Sequence, residues 1–148
     1  MAADLYFDDF KVGDTITSQG MTVTESQIID FAMQFDSQLF HTDVEAAKES
    51  IFGGLVASGI HTIAVTFRLL LMTGALKHNL GSPGFDELRW LKPVRPGDTL
   101  SAVAEVLECK PSQKQDDRGT IRFRYSAYNQ HKEKVLTVIG NQILRRKS

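Results

Sequence analysis

Residues 58–72 read Ser58-Gly59-Ile60-His61-Thr62-Ile63-Ala64-Val65-Thr66-Phe67-Arg68-Leu69-Leu70-Leu71-Met72. Ile60, Ile63, Ala64, Phe67, Leu70 and Leu71 recur on one side of a 3.6-residue helix. Val65, Leu69 and Met72 carry the apolar surface most of the way round. Such a helix has almost no side to give to water and belongs at the centre of a core. Gly74 and the stretch 79–84 are expected to end it. Beyond that point the period changes from 3.6 to 2. In residues 99–109, Leu100, Ala102, Ala104 and Val106 share one phase. In residues 120–129, Ile121, Phe123, Tyr125 and Ala127 share one face, with Arg122, Arg124 and Ser126 on the other. Residues 85–91 and 135–144 supply two more strands, with a turn-rich linker at 92–98, a polar loop at 111–119 and a turn at 130–132. Helices early and antiparallel strands late make an α+β fold, here four or five strands wrapped around one long helix.

Upstream of residue 58 the pattern is helical. Thr24 followed by Gln27 fits a capping box, and Ile28, Phe31, Ala32 and Phe35 then recur at helical spacing. The Thr-rich residues 14–23 are a strand candidate. Residues 36–42 break the periodicity, Asp43 is placed to cap a short helix over 44–48, and residues 51–59, with three glycines, read as a loop.

Composition excludes more than it names. A chain of 148 residues fits one domain and buries ~70% of its unfolded surface, enough for a core without disulfides or a structural metal. A net charge of −1 argues against binding nucleic acid through phosphate neutralisation. The single cysteine, Cys109, permits no intrachain disulfide, favours a reducing cytoplasm and reads as a structural thiol. Residues 1–9 lack the basic start and apolar run of a secretory signal. The longest uncharged stretch, 50–67, is too polar to span a membrane. Charge is uneven: residues 1–109 hold 7 basic and 15 acidic side chains, residues 110–148 hold 10 and 3. The basic part is either a solvated sheet face or a surface for an anionic ligand, with Arg122 and Arg124 as candidates for phosphate contact.

The chemistry-bearing segment is Phe35-Asp36-Ser37-Gln38-Leu39-Phe40-His41-Thr42-Asp43. It leaves a capped helix and leads, through the glycine loop, to the start of the long helix. An Asp and a His brought together there can hold one water. The His takes a proton near neutral pH and the Asp orients the water or acts as partner acid or base. By spacing alone the pair reads first as an ordinary helix exit with a surface His, and only second as a catalytic pair. No third ligand at metal spacing accompanies His41 and Asp43, so no metal site is expected. Ser58 reads as a helix N-cap or a substrate contact, His61 as a packing His or a wall of an acyl pocket, and Trp90 as core, interface or tunnel lining.

The segment resembles the hydratase motif of the MaoC-like dehydratases, the (R)-specific enoyl-CoA hydratases of hotdog fold, in which an aromatic precedes Asp-x-Asn-Pro-(Leu/Ile)-His-x-Asp. Asp36, His41 and Asp43 match its Asp, His and last acid. The resemblance runs from about residue 6 to 145: Phe10-Lys11-Val12-Gly13-Asp14 is similar to the family's entry segment, Phe52-Gly53-Gly54-Leu55-Val56-Ala57-Ser58-Gly59 to the approach to its central helix, and Pro93-Val94-Arg95-Pro96-Gly97-Asp98-Thr99-Leu100 to its glycine-aspartate turn. Two positions depart: Gln38 stands for Asn and Leu39 for Pro, which keeps the amide on a longer stem and frees a backbone angle.

The resemblance implies a single hotdog domain over residues 1–148 that adds water reversibly to a trans-2-enoyl-CoA thioester. Asp36 and His41 would activate the water, and Gly59 would offer its backbone N–H to the enolate oxygen from a helix N-terminus. Such a donor is worth ~3–4 kcal/mol in other enzymes. Gln38, Ser58 and His61 would contact substrate. No cofactor is implied, coenzyme A being part of the substrate. A cytoplasmic homodimer or assembly of dimers is expected, with no nucleic-acid or membrane partner. Two other functions compete: an acyl-CoA thioesterase, disfavoured because residues 58–73 contain no Asp or Glu for a helix-borne carboxylate, and a non-catalytic acyl-CoA-binding module, disfavoured by the retained Asp36 and His41.

Overall fold

The period-two segments close into one antiparallel sheet. In the computed structural model, which describes residues 4–147, the strands are β1 (Thr15–Thr17), β2 (Met21–Thr22), β3 (Asn79–Trp90), β4 (Thr99–Pro111), β5 (Arg118–Tyr128) and β6 (Lys134–Arg145). Their order is β1-β4-β5-β6-β3, with β2 also pairing on β4. Residues 1–3, part of the stretch read for a secretory signal, and residue 148 lie outside the described residues. The alternation predicted from sequence sets the inward face: Leu100, Ala102, Ala104 and Val106 of β4 and Ile121, Phe123, Tyr125 and Ala127 of β5 are all buried. β4 and β5 pair over their lengths, Ala104 opposite Tyr125 and Val106 opposite Phe123, so these side chains share one layer.

The helices are α1 (Glu25–Phe35), α2 (Leu39–Thr42), α3 (Val44–Lys48) and α4 (Gly59–Met72). The capping box of α1 forms as read: Thr24 Oγ1 accepts from Gln27 N at 3.2 Å and Gln27 Oε1 accepts from Thr24 N at 3.0 Å. Asp43 caps α3 by accepting from Ala46 N at 2.9 Å. Residues 36–42, where periodicity breaks, contain the single helical turn α2, too short for a 3.6-residue period to show.

Three readings need correction. The stretch 79–84, taken as a helix terminator, opens β3, which runs twelve residues rather than starting at 85. The register with β6 shifts at Asn79/Gly81, Gly81/Gly84 and Asp86/Arg89, and this edge strand has no fully buried residue, so it shows no alternation of apolar and polar side chains to read. In α1, Ile28 and Ala32 are buried but Phe35 is exposed. The third concerns α4. It lies against β4 and β5, but its buried stripe is His61, Thr62, Val65, Thr66, Leu69 and Leu70. Ile60, Leu71 and Met72, read as core, remain about half exposed. Two threonines take the inward side because their hydroxyls are satisfied within the helix: Thr66 Oγ1 donates to Thr62 O at 2.7 Å and Thr62 Oγ1 to Ser58 O at 3.3 Å.

Among the described residues no helix is long and apolar enough to cross a membrane.

Candidate active site

The site is built where α1 stops. Asp36 ends α1, and a tight turn, with Gln38 N donating to Asp36 O at 2.8 Å, leads into α2. That one turn carries His41 back toward Asp36, so that Nε2 lies 3.5 Å from Asp36 Oδ2. The segment approaching α4 pins α2 from the other side. Val56 N donates to Phe40 O at 3.1 Å, and Val56 O faces His41 Nδ1 at 2.7 Å. A carbonyl oxygen only accepts, so Nδ1 carries a hydrogen. In the neutral ring Nε2 is then a free acceptor aimed at Asp36. The imidazole is buried and its tautomer is set by a backbone atom.

Asp36 is held by two donors. Ser58 Oγ donates to Oδ2 at 2.7 Å and Gln38 Nε2 to Oδ1 at 2.6 Å. The Ser58 bond, then the Gln38 bond, and lastly the charge of His41 hold the carboxyl below its ordinary value, against a raising effect of burial. The group is therefore a firm carboxylate and a poor proton donor at neutral pH. Ser58 is fully buried and also accepts from Ile60 N at 3.1 Å as the N-cap of α4. One hydroxyl thus ties the helix start to the carboxylate.

A cavity of about 530 Å³ opens at this point, lined by Asp36, Gln38, His41 and Gly59 on its polar side and by Phe40, Phe52, Val56, Ile60 and Val94 among its apolar walls. Gly59 is the first residue of α4, where a backbone N–H has no intrahelical acceptor. Its missing side chain has a local cause. A Cβ there would fall 2.4 Å from Trp90 Cε2, and the indole lies against the helix start with Nε1 donating to Gly59 O at 2.9 Å.

The structure brings Asp36, His41, Gln38 and Gly59 together on one cavity. It does not bring Ser58 or His61 to the wall. Ser58 stands behind the carboxylate. The His61 ring stacks on Phe31 with centroids 4.6 Å apart, and burial pushes its pKa down, so it packs as a neutral ring against α1. Arg122 is committed elsewhere: it donates to Asp86 Oδ2 at 2.8 Å and Asn141 Oδ1 at 2.9 Å. The Cys109 thiol is pushed up by burial and by Asp14 and Glu108, which suits an inert thiol. Sequence reasoning missed Lys92, which lines the cavity, and the contact of Trp90 with Gly59. A glycine at a helix start, where it lowers helix propensity, is the signal that something packs on it.

Residues 9–126 match the family described as MaoC like domain. The chain belongs to the MaoC-like dehydratase family. Among solved structures it is similar to the MaoC-like dehydratase from Rhodospirillum rubrum, with a TM-score of 0.90 and 38% identity over 97% of this chain and 99% of that one. It shares 33% identity with the uncharacterized protein YdeM of Bacillus subtilis (strain 168), covering 86% of this chain and 90% of YdeM. An (R)-specific enoyl-CoA hydratase of Rhodospirillum rubrum is 29% identical over 74% of each chain. The sheet and central helix α4 are thus those of a hotdog fold, as the motifs implied.

Proposed function

We propose that this MaoC-like domain, residues 6–145 acting as one unit, hydrates a trans-2-enoyl-CoA thioester reversibly. The observation that carries the reading is the pair Asp36 Oδ2 and His41 Nε2, 3.5 Å apart on a cavity beside the N-terminus of α4. At that spacing one water can bond to both atoms. The reading is supported by similarity to the (R)-specific enoyl-CoA hydratase. As water attacks Cβ, one of its protons passes to His41 Nε2 while Asp36 orients it and balances the imidazolium. The electron pair of the double bond moves toward the thioester, making an enolate whose oxygen is stabilised by the Gly59 N–H. The proton on Nε2 then passes to Cα. Asp36, held ionised by its donors, carries no proton in this scheme. Addition of water is redox-neutral and calls for no cofactor beyond the coenzyme A of the substrate.

The working unit in this proposal is a homodimer. β3 is a sheet edge, and Phe85, Trp90 and Leu91 are about half exposed on or just beyond it, as are Ile60, Leu71 and Met72 on α4. A second copy is the occupant that would cover both. Light scattering should give twice the chain mass, and a monomer refutes this part.

Loss of the conjugated enoyl-thioester absorbance, followed over CoA thioesters of differing length and branching with Asp36→Ala as control, tests the activity. Free thiol without hydration would point to a thioesterase instead. Tight binding without turnover would point to a binding module.

A further inference from the structure

Gln38 occupies the N-cap position of α2, yet its side chain makes no cap bond. Caps are made by Asn, Asp, Ser and Thr, whose short side chains reach back to the first-turn N–H groups, and Pro favours the next position. The family motif has that pair, Asn-Pro. This chain has Gln38 and Leu39, and the longer stem turns the amide away from the helix and onto Asp36 Oδ1 at 2.6 Å.

We propose that Gln38 is a positioning residue for Asp36, in which this chain gives up a helix cap for a second grip on the site carboxylate, and not a substrate contact. A carboxylate held through one oxygen is free to swing about its last torsion. Ser58 holds Oδ2 alone, and Gln38 on Oδ1 fixes the plane. A carboxylate fixed in plane keeps its remaining lone pair on Oδ2 directed at the gap before His41 Nε2. Asn, one methylene shorter, would cap α2 and leave Oδ1 without a protein donor. The other titratable or charged groups at this site are His41 from α2 and, on the cavity wall, Lys92.

The role rests on the hydratase reading, so the test includes a readout that does not need turnover. The Asp36 carboxyl, labelled with carbon-13 and assigned with Asp36→Asn, is titrated by NMR in the wild type, Gln38→Leu and Gln38→Asn. In both variants the Asp36 pKa should move up, because a donor to the charged form is gone. Gln38→Asn should keep or raise Tm through its better cap. In the hydration assay both should lose kcat about tenfold with KM unchanged, the low end for a hydrogen bond to a charged group with an exposed donor. An Asp36 titration that does not move overturns the role. So does a raised KM with unchanged kcat, which would make Gln38 a substrate contact. A wild type that hydrates no thioester refutes the hydratase reading alone, and the NMR titration still decides whether Gln38 governs Asp36.

Discussion

Replacing Gly59 with alanine changes one methyl group, and the structure sets its effect. The new Cβ would lie 2.4 Å from Trp90 Cε2, 2.5 Å from Nε1 and 2.8 Å from Cζ2, all far inside van der Waals contact. The indole must swing off the helix. That forfeits its bond to Gly59 O, worth ~1 kcal/mol, and overpacking of this kind costs ~1–3 kcal/mol. Better helix propensity returns at most ~1 kcal/mol and less at a first helical position. The net is a loss of about 2 kcal/mol, or a fall in Tm of about 4–8 °C at this chain length. Urea and thermal unfolding at fixed protein concentration measure it. The decisive experiment is the double-mutant cycle. With Trp90→Ala in place no ring blocks the Cβ, so Gly59→Ala should become neutral or slightly stabilising, a coupling of about 2 kcal/mol. Equal destabilisation in both backgrounds would refute the claim that Trp90 is what requires glycine at the start of α4.

Three further outcomes are expected. Asp36→Ala and His41→Ala should each lower kcat/KM for enoyl-CoA hydration by about 10²–10⁴ with circular dichroism unchanged, the range for loss of a positioned acid–base group; wild-type turnover in either removes it from the mechanism. Gly140→Ala should destabilise by at least ~1–3 kcal/mol in urea, because its Cβ would meet the fully buried Tyr125 ring at 2.3 Å, and that ring, unlike Trp90, has no solvent to move into; a neutral result would mean the sheet yields there. Because the folded pKa of Asp36 is depressed below 3.8, its carboxylate contributes stability that is present above that value and lost as pH falls through the lower folded one. The gap in urea midpoint between wild type and Asp36→Asn should therefore be constant near neutrality and close below pH 3.8, and parallel curves at low pH would contradict the assignment.

What was legible in the sequence was local and periodic. Residues 24–35 announced a helix through a capping box that needs only neighbours. β4 and β5 announced themselves because alternation survives wherever one sheet face is buried. Asp36 and His41 were paired by the resemblance to the family motif, not by spacing, and one turn of helix brings them together. β3 was only half seen, because it is an edge strand with no fully buried residue and its first half, residues 79–84, has the composition of a turn. The buried stripe of α4 was misplaced, because hydrophobicity ranks threonine as polar while the structure satisfies its hydroxyl on the preceding turn.

The sequence by itself therefore determined the fold class and the inward face of the sheet, and its motif resemblance singled out Asp36 and His41 as the candidate pair, all from residues close along the chain or from a repeating period. Only the tertiary structure decided what each group can do. Val56 O selects the His41 tautomer from fifteen residues away, Ser58 reaches Asp36 across twenty-two, and Trp90 sits on Gly59 across thirty-one. Hydrogen bonding and steric exclusion act over a few ångströms in space, at separations along the chain that no local pattern encodes.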